Sequence, residues 1–366
     1  WRQGGRAGQG FLPWLSDPPK LLVHAGGQSR RLPAYAATGK ALMPIPVFRW
    51  GRGQRFDQSL LDVQLRGFER VLRHAGATYA VLVTSGDVLL RFGHDLPVFP
   101  EVDVLGLGMR ASPEVACHFG VFVTQRRDPR RLECFLQKPP SSALRELGPE
   151  RRFLVDTGMW LLSARAVAVL LRKCGGDPAT GESGSGGPWR YELYAELGLA
   201  LGSDPVHRDP EVNVLTAAVV DLPSPEFHHF GTSRQMIESV TALQNRDSGM
   251  GWGAGPGGRP HPDQCTQNSR VEVAIHREAN HTLWIENCVV PASWRLCHDH
   301  VLTNIPANDW PLELEAGVCL DAVPVGDDAV AMRVYGMDDP FAGDMADPST
   351  LWLGRRARDW FASRGM

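Results

Sequence analysis

Between Leu21 and Arg246 short apolar runs alternate with stretches of helical periodicity, which restricts the chain to a layered α/β architecture. Leu21–His24, Ala80–Thr84, Val102–Gly106, Gly120–Thr124, Glu133–Gln137 and Met159–Leu162 read as strands. Ser59–Ala75, Ala164–Cys174 and Ser233–Asn245 carry apolar residues on one helical face. The expected fold is Rossmann-like with a mainly parallel sheet, whose ligands sit at the carboxyl ends of the strands.

Ser248–Pro262 carries six glycines and three prolines and marks where the alternation ends. Beyond it, from Arg270 to Val334, short strand-like runs are separated by Asn, Asp, Pro and Gly, as in a small all-β sandwich or a short solenoid of parallel rungs. The solenoid is the preferred expectation. The predicted organisation is an α/β domain at 18–247, a linker at 248–262 and a β-helix-like domain at 263–366. Gly175–Gly187 has no sizeable apolar side chain to bury and reads as a flexible surface insertion, and Arg355–Ser363 as a helix.

The strand Leu21–His24 runs into Ala25-Gly26-Gly27-Gln28-Ser29-Arg30-Arg31, followed by Lys40. Two glycines let backbone N–H groups approach an anion, and the arginines and lysine supply charge and, from arginine, bidentate donors. A solvated basic turn is the plain alternative. The run lacks the Gly-Lys-Ser/Thr ending of a Walker loop and the third glycine of a dinucleotide fingerprint, so ordinary ATPase and dehydrogenase readings lose ground.

Other candidates follow strand ends. Asp87, after Ser85-Gly86, could hold Mg²⁺, which takes one or two carboxylates plus phosphate oxygens. Lys138 ends a strand before Pro139-Pro140 and could reach a phosphate. Asp156-Thr157-Gly158 has the composition of a turn whose carboxylate could bind sugar hydroxyls. Glu192 and Glu196 share a face if their segment is helical. His228 and His229 precede a Thr/Ser helix cap without zinc spacing, and His118 could be interior or a ligand contact. Taken singly, each has an equally ordinary explanation as a turn, an exposed charge or a solvated helix face.

Composition excludes several classes. With 38 basic and 41 acidic residues the formal charge is -3, so no basic field recruits nucleic acid. No apolar run approaches the ~18–20 residues of a membrane helix. Seven scattered cysteines without a Cys-x-x-Cys pair predict reduced thiols and a cytoplasmic setting. The start at Trp1, without an initiator Met or a signal-peptide core, suggests a trimmed chain.

The run from His24 to Trp50 resembles the N-terminal half of bacterial bifunctional fucokinase/L-fucose-1-phosphate guanylyltransferases. The likeness continues in Arg52-Gly53-Gln54-Arg55, Ser85-Gly86-Asp87, Leu136-Gln137-Lys138-Pro139, Gly198-Leu199-Ala200-Leu201-Gly202 and Gly231-Thr232-Ser233. It extends to Leu283-Trp284-Ile285-Glu286-Asn287, Asn308-Asp309-Trp310 and Ala316-Gly317-Val318-Cys319. It implies a nucleotide-diphospho-sugar transferase fold followed by a β-helix-like domain, with GTP and L-fucose-1-phosphate as substrates, Mg²⁺ as cofactor and a sugar kinase as a fused or separate partner. By that likeness Gly26, Gly27, Gln28, Ser29, Arg30, Arg31 and Lys40 form the nucleotide-phosphate signature. Asp87 is then the metal carboxylate and Lys138 the substrate lysine, with Asp156, Gly158 and Glu196 toward the sugar. The second metal ligand stays open, His229 standing where related enzymes often place an aspartate. Two alternatives remain: another sugar-1-phosphate or nucleotide on the same scaffold, and a non-catalytic nucleotide-sugar-binding module.

Overall fold

The computed structural model describes residues 10–25, 27, 29–46, 58–184, 189–247 and 260–365. Gly26, Gln28, residues 47–57 with the Arg52–Arg55 motif, 185–188 and the linker residues 248–259 lie outside them. Two compact units emerge, one of residues 1–24 and 64–227, the other of residues 25–63 and 228–366. These units group the glycine loop and the helix after Thr232 with the C-terminal β region.

The first unit holds a seven-stranded sheet. Its strands are β1 (Lys20–His24), β2 (Val81–Ser85), β3 (Val104–Met109), β4 (Gly120–Gln125), β5 (Asp128–Gln137), β6 (Arg151–Leu162) and β7 (Ala217–Asp221). They lie in the order β1-β2-β6-β3-β7-β5-β4. The expectation of a mainly parallel sheet is corrected. β1 with β2 and β3 with β7 pair parallel, whereas β6 runs antiparallel to β2, β3 and β4, and β5 to β4 and β7. The physical cause is β6, a reversed strand between β2 and β3, together with the β4–β5 hairpin, which needs no crossover helix.

The strand core is apolar on both faces. Phe122, Phe135 and Trp160 meet with ring centroids 5.2 to 5.4 Å apart. Gly106 on β3 and Gly120 on β4 make room for them, since a Cβ at either would come within 2.4 Å of a phenylalanine ring. Helix α1 (Leu60–Ala75) starts at a capping box, the Asp62 carboxylate accepting from Ser59 N at 2.7 Å and Asp62 N donating back to Ser59 Oγ. Helix α2 (Ala164–Lys173) starts at Ser163, whose hydroxyl accepts from Ala166 N. The expected flexible insertion contains, in its described part, a small antiparallel pair of Gly176–Asp177 with Glu182–Ser183. Asp177 fixes its turn by accepting from Ala179 N and Thr180 Oγ1.

The second unit is built on a five-stranded sheet of β8 (Gln264–Gln267), β9 (Leu283–Glu286), β10 (His300–Thr303), β11 (Val318–Pro324) and β12 (Val330–Gly336). β8 to β11 pair parallel in sequence order and β12 closes the stack antiparallel. A second row of parallel pairs, Arg270–Val271 with Val289–Val290 and Arg295–Leu296 with Glu313–Leu314, runs beside it. Leu283, Ile285, Val290, Trp294, Leu302 and Ile305 fill the interior. At one corner Asn268, Asn287 and Asn304 all take positive φ and form an amide ladder, Asn268 donating to Asn287 at 3.0 Å and Asn287 to Asn304 at 2.8 Å. Asparagine tolerates that left-handed corner, and each side chain satisfies its neighbour. Helix α3 (Ser233–Asp247) is capped by Thr232, whose hydroxyl accepts from Gln235 N, as the Thr/Ser pattern predicts. The expected C-terminal helix covers Ala357–Ala362.

Candidate active site

In the first unit the strand registers bring several predicted residues to one end of neighbouring strands. His24 pairs with Ser85, so β1 delivers the chain into the glycine loop from the row where β2 ends. Gly86 N donates to His24 O at 2.9 Å, carrying the β1–β2 pairing one bond further, and Gly86 and Asp87 form the turn that follows β2. The Ser85 hydroxyl donates to Asp87 Oδ1 at 2.6 Å.

Beside this row, β6 is irregular. Asp156-Thr157-Gly158, expected as a turn before a short strand, is a bulge within a continuous 12-residue strand, the register against β3 slipping between Leu107 and Gly108. Gly158 takes φ +77° and a Cβ there would lie 3.0 Å from Ser85 Cβ, so only glycine brings β6 this close to the residue that holds Asp87. Thr157 Oγ1 donates to Leu107 O at 2.6 Å and locks the bulge.

Asp156 is buried and accepts from Gly158 N at 2.9 Å and Trp160 Nε1 at 3.0 Å. Burial pushes its carboxyl up from the usual 3.8 to about 7, against the lowering effect of those two donors. Tyr194 was missed by sequence reasoning. Its hydroxyl is raised above the usual range by burial first, then by the charges of Asp156 and Asp87, so it stays protonated near both carboxylates. It sits on a π turn, Leu193–Leu197, packed edge-on to Trp160. That turn corrects the expected helical face for Glu192 and Glu196. The Glu196 carboxylate instead accepts from the backbone N of Glu192 and ties off the turn.

Lys138 extends from the end of β5, where Gln137 pairs with Gly120 and the adjacent Val121 with Val155. Asp156 therefore lies about two strand spacings, roughly 10 Å, across the sheet from the Lys138 backbone. Lys138 has φ +48° although it precedes Pro139, where an extended conformation is the rule, and its side chain is exposed. Such outliers concentrate at ligand sites.

The remaining cations belong to the second unit. Gly27 has φ +137° and Ser29 φ +46°, the left-handed conformations a backbone anion cradle uses. Leu32 N donates to Ser29 O at 2.9 Å, so Arg30 and Arg31 occupy a tight turn with exposed side chains. Arg31 O accepts from Ser233 N at the start of α3, and Lys40 Nζ donates to Gly231 O at 3.2 Å. Gly26 and Gln28 lie outside the described residues.

Asp87 is a strand-end carboxylate of the donor type that Mg²⁺ takes together with phosphate oxygens. Among the described residues the close cluster of metal-type donors is elsewhere, at His281, His298 and Asp299 in the β stack. Asp299 there is already bound by Arg234 at 3.0 Å and by His298 at 3.0 Å. All seven cysteines are free thiols, and no helix among the described residues is long and apolar enough to cross a membrane.

The model of the fucose pyrophosphorylase domain matches residues 16–203, just over half of the chain and all of this first-unit constellation. The chain belongs to the fucose pyrophosphorylase family. A relative of this chain is the L-fucokinase/L-fucose-1-P guanylyltransferase of Bacteroides fragilis, 41% identical over 359 residues, 98% of this chain and 37% of the relative. The chain thus spans little more than a third of that protein's length. Among solved structures, mannose-1-phosphate geranyltransferase from Thermus thermophilus aligns with 95% of this chain and 99% of its own at 15% identity and a TM-score of 0.38. A UDP-glucose pyrophosphorylase complexed with UDP-glucose aligns with 62% of this chain and 99% of its own at 13% identity and a TM-score of 0.39.

Proposed function

We propose that this member of the fucose pyrophosphorylase family is the guanylyltransferase that joins L-fucose-1-phosphate to GTP, giving GDP-L-fucose and pyrophosphate. The observation that carries the reading is the family match over residues 16–203 together with 41% identity, along nearly the whole chain, to a protein named as an L-fucose-1-P guanylyltransferase. The placement of Asp156 and Gly158 in the β6 bulge, in the same sheet whose β2 and β5 lead at their ends into Asp87 and Lys138, supports it from the geometry.

In this reading the sugar phosphate oxygen attacks the α-phosphorus of GTP in line and pyrophosphate leaves. The attacking oxygen is already ionised near neutral pH, so the protein supplies no nucleophile and its work is positioning and charge neutralisation. The loop from Gly26 to Arg31 cradles the triphosphate, with Arg31 and Lys40 steadying the departing pyrophosphate. Lys138 neutralises a substrate phosphate. Asp156 and Gly158 face the sugar, with Glu196 holding the neighbouring turn. Asp87 holds Mg²⁺, which when bound offsets charge on the phosphate oxygens.

The same reading takes the parallel stack as a short parallel β-helix and places a fucokinase segment as a fused or separate partner, as the relative's name suggests. The test is to incubate the chain with Mg²⁺, each nucleoside triphosphate and a panel of sugar-1-phosphates, following pyrophosphate. Release with GTP and L-fucose-1-phosphate alone is expected. Release with another pair reassigns the substrate, and release with none leaves a nucleotide-sugar-binding module.

A further inference from the structure

The segment that follows the glycine loop is fastened to the β stack by polar contacts that simple packing does not require. Tyr35, buried in the 3₁₀ turn Pro33–Tyr35, donates its hydroxyl to Glu286 Oε2 at the end of β9. Trp284 Nε1 donates to the same oxygen at 3.0 Å. Two residues before Tyr35, the Pro33 carbonyl accepts from Arg333 Nη2 at 3.1 Å. Arg333 is held in turn by the buried Asp321 through Nε at 2.7 Å and Nη2 at 2.6 Å.

A carboxylate brought against buried aromatic rings costs desolvation energy that an apolar contact avoids, and what it gives in return is direction. Burial and the Glu286 charge raise the Tyr35 hydroxyl well above its usual range, so it remains a donor. Tyr35 is four residues from Arg31, a span of about 14 Å at most. Between them Leu32 is wholly buried and the Ser29 to Tyr35 carbonyls and amides are bonded turn by turn. A displacement of Tyr35 is therefore passed to the Arg30-Arg31 turn.

We propose that Glu286, Tyr35 and Arg333 are positioning residues through which the β stack fixes the geometry of the phosphate loop. This rests on the proposed guanylyltransferase activity for its kinetic consequence, but not for its structural one. The β stack is then part of the catalytic apparatus, acting through Tyr35 on the arginines that meet the triphosphate.

The test uses the full chain with Tyr35→Phe, Glu286→Ala and Glu286→Gln. Amide hydrogen exchange is expected to quicken about tenfold or more between Ser29 and Ala36 in Tyr35→Phe and Glu286→Ala, while amides of β9 and β10 stay protected. Pyrophosphate release should fall tenfold to about a hundredfold in kcat, with the KM for the sugar phosphate unchanged, as expected for a slightly misplaced charge. Glu286→Gln keeps an oxygen acceptor for both donors and should restore both readouts. Unchanged exchange at residues 29–36, or quickening that spreads equally through β9 and β10, overturns the proposal. If wild type shows no turnover with GTP and L-fucose-1-phosphate, the functional reading falls and the exchange pattern still decides the anchoring.

Discussion

The hydroxyl of Ser85 and the carboxylate of Asp87 are joined across a two-residue turn by a hydrogen bond of 2.6 Å. A carboxylate restrained in this way presents its remaining lone pairs in a fixed direction, as outer partners of metal ligands do. Ser85→Ala is expected to lower pyrophosphate release about tenfold and to raise the Mg²⁺ concentration needed for half-maximal rate, within the range such partners show. Asp87→Asn should cost at least about a hundredfold, comparable with removing one preorganised electrostatic group. A Mg²⁺ titration of all three proteins decides it, and equal Mg²⁺ dependence would detach Asp87 from the metal.

Arg31 and Lys138 carry their side chains exposed at the glycine loop and at the end of β5. Replacing either with alanine should reduce turnover on the order of a hundredfold or more while leaving the melting temperature close to wild type. Near-normal turnover by either purified variant would remove that residue from the mechanism.

Gly158 combines a left-handed backbone with a 3.0 Å approach to Ser85. Gly158→Ala should destabilise the fold by about 1–2 kcal/mol from the backbone alone and lower activity through Ser85 and Asp87. Thermal melts and steady-state rates check both effects, and a variant that melts and turns over like wild type contradicts the close contact.

The Asp156 carboxyl is raised to about 7 by burial. Between its ordinary value near 4 and about 7 the folded chain holds a proton that the unfolded chain releases, so stability falls as pH rises across that window and levels off above it. Asp156→Asn keeps an acceptor for Gly158 N and Trp160 Nε1 and removes the titration. Its urea midpoint should therefore change less from pH 5 to pH 8 than that of wild type. Parallel pH profiles would show that Asp156 is ionised throughout.

Much of this was legible in the sequence, and the exceptions have separate causes. The helix expected over Ser59–Ala75 begins one residue later, because Ser59 is its cap, and the short strands at Leu21 and Gly120 are nearly in place. Strand direction was not legible, because from Leu154 onward β6 is buried on both faces, a pattern that reads the same whichever way the strand runs. Asp156-Thr157-Gly158 has turn composition, and a bulge uses the same residues for the same positive φ. Glu196 was placed by a four-residue spacing that holds for a 3.6-residue period, whereas Leu193–Leu197 winds more widely and brings Tyr194 forward instead. The asparagine ladder was hidden by its spacing of 19 and then 17 residues, which no strict repeat would match.

Tyr35 and Glu286 are separated by 251 residues of chain. A ribosome adding about 5–20 residues per second needs on the order of 10–50 s to pass from one to the other. Throughout that interval the phosphate loop has been made but its anchor has not. The loop's final geometry is thus set only after β9 has been made, and a nascent chain halted before β9 has every cationic residue assigned to the triphosphate and lacks the Glu286 carboxylate that orients Tyr35.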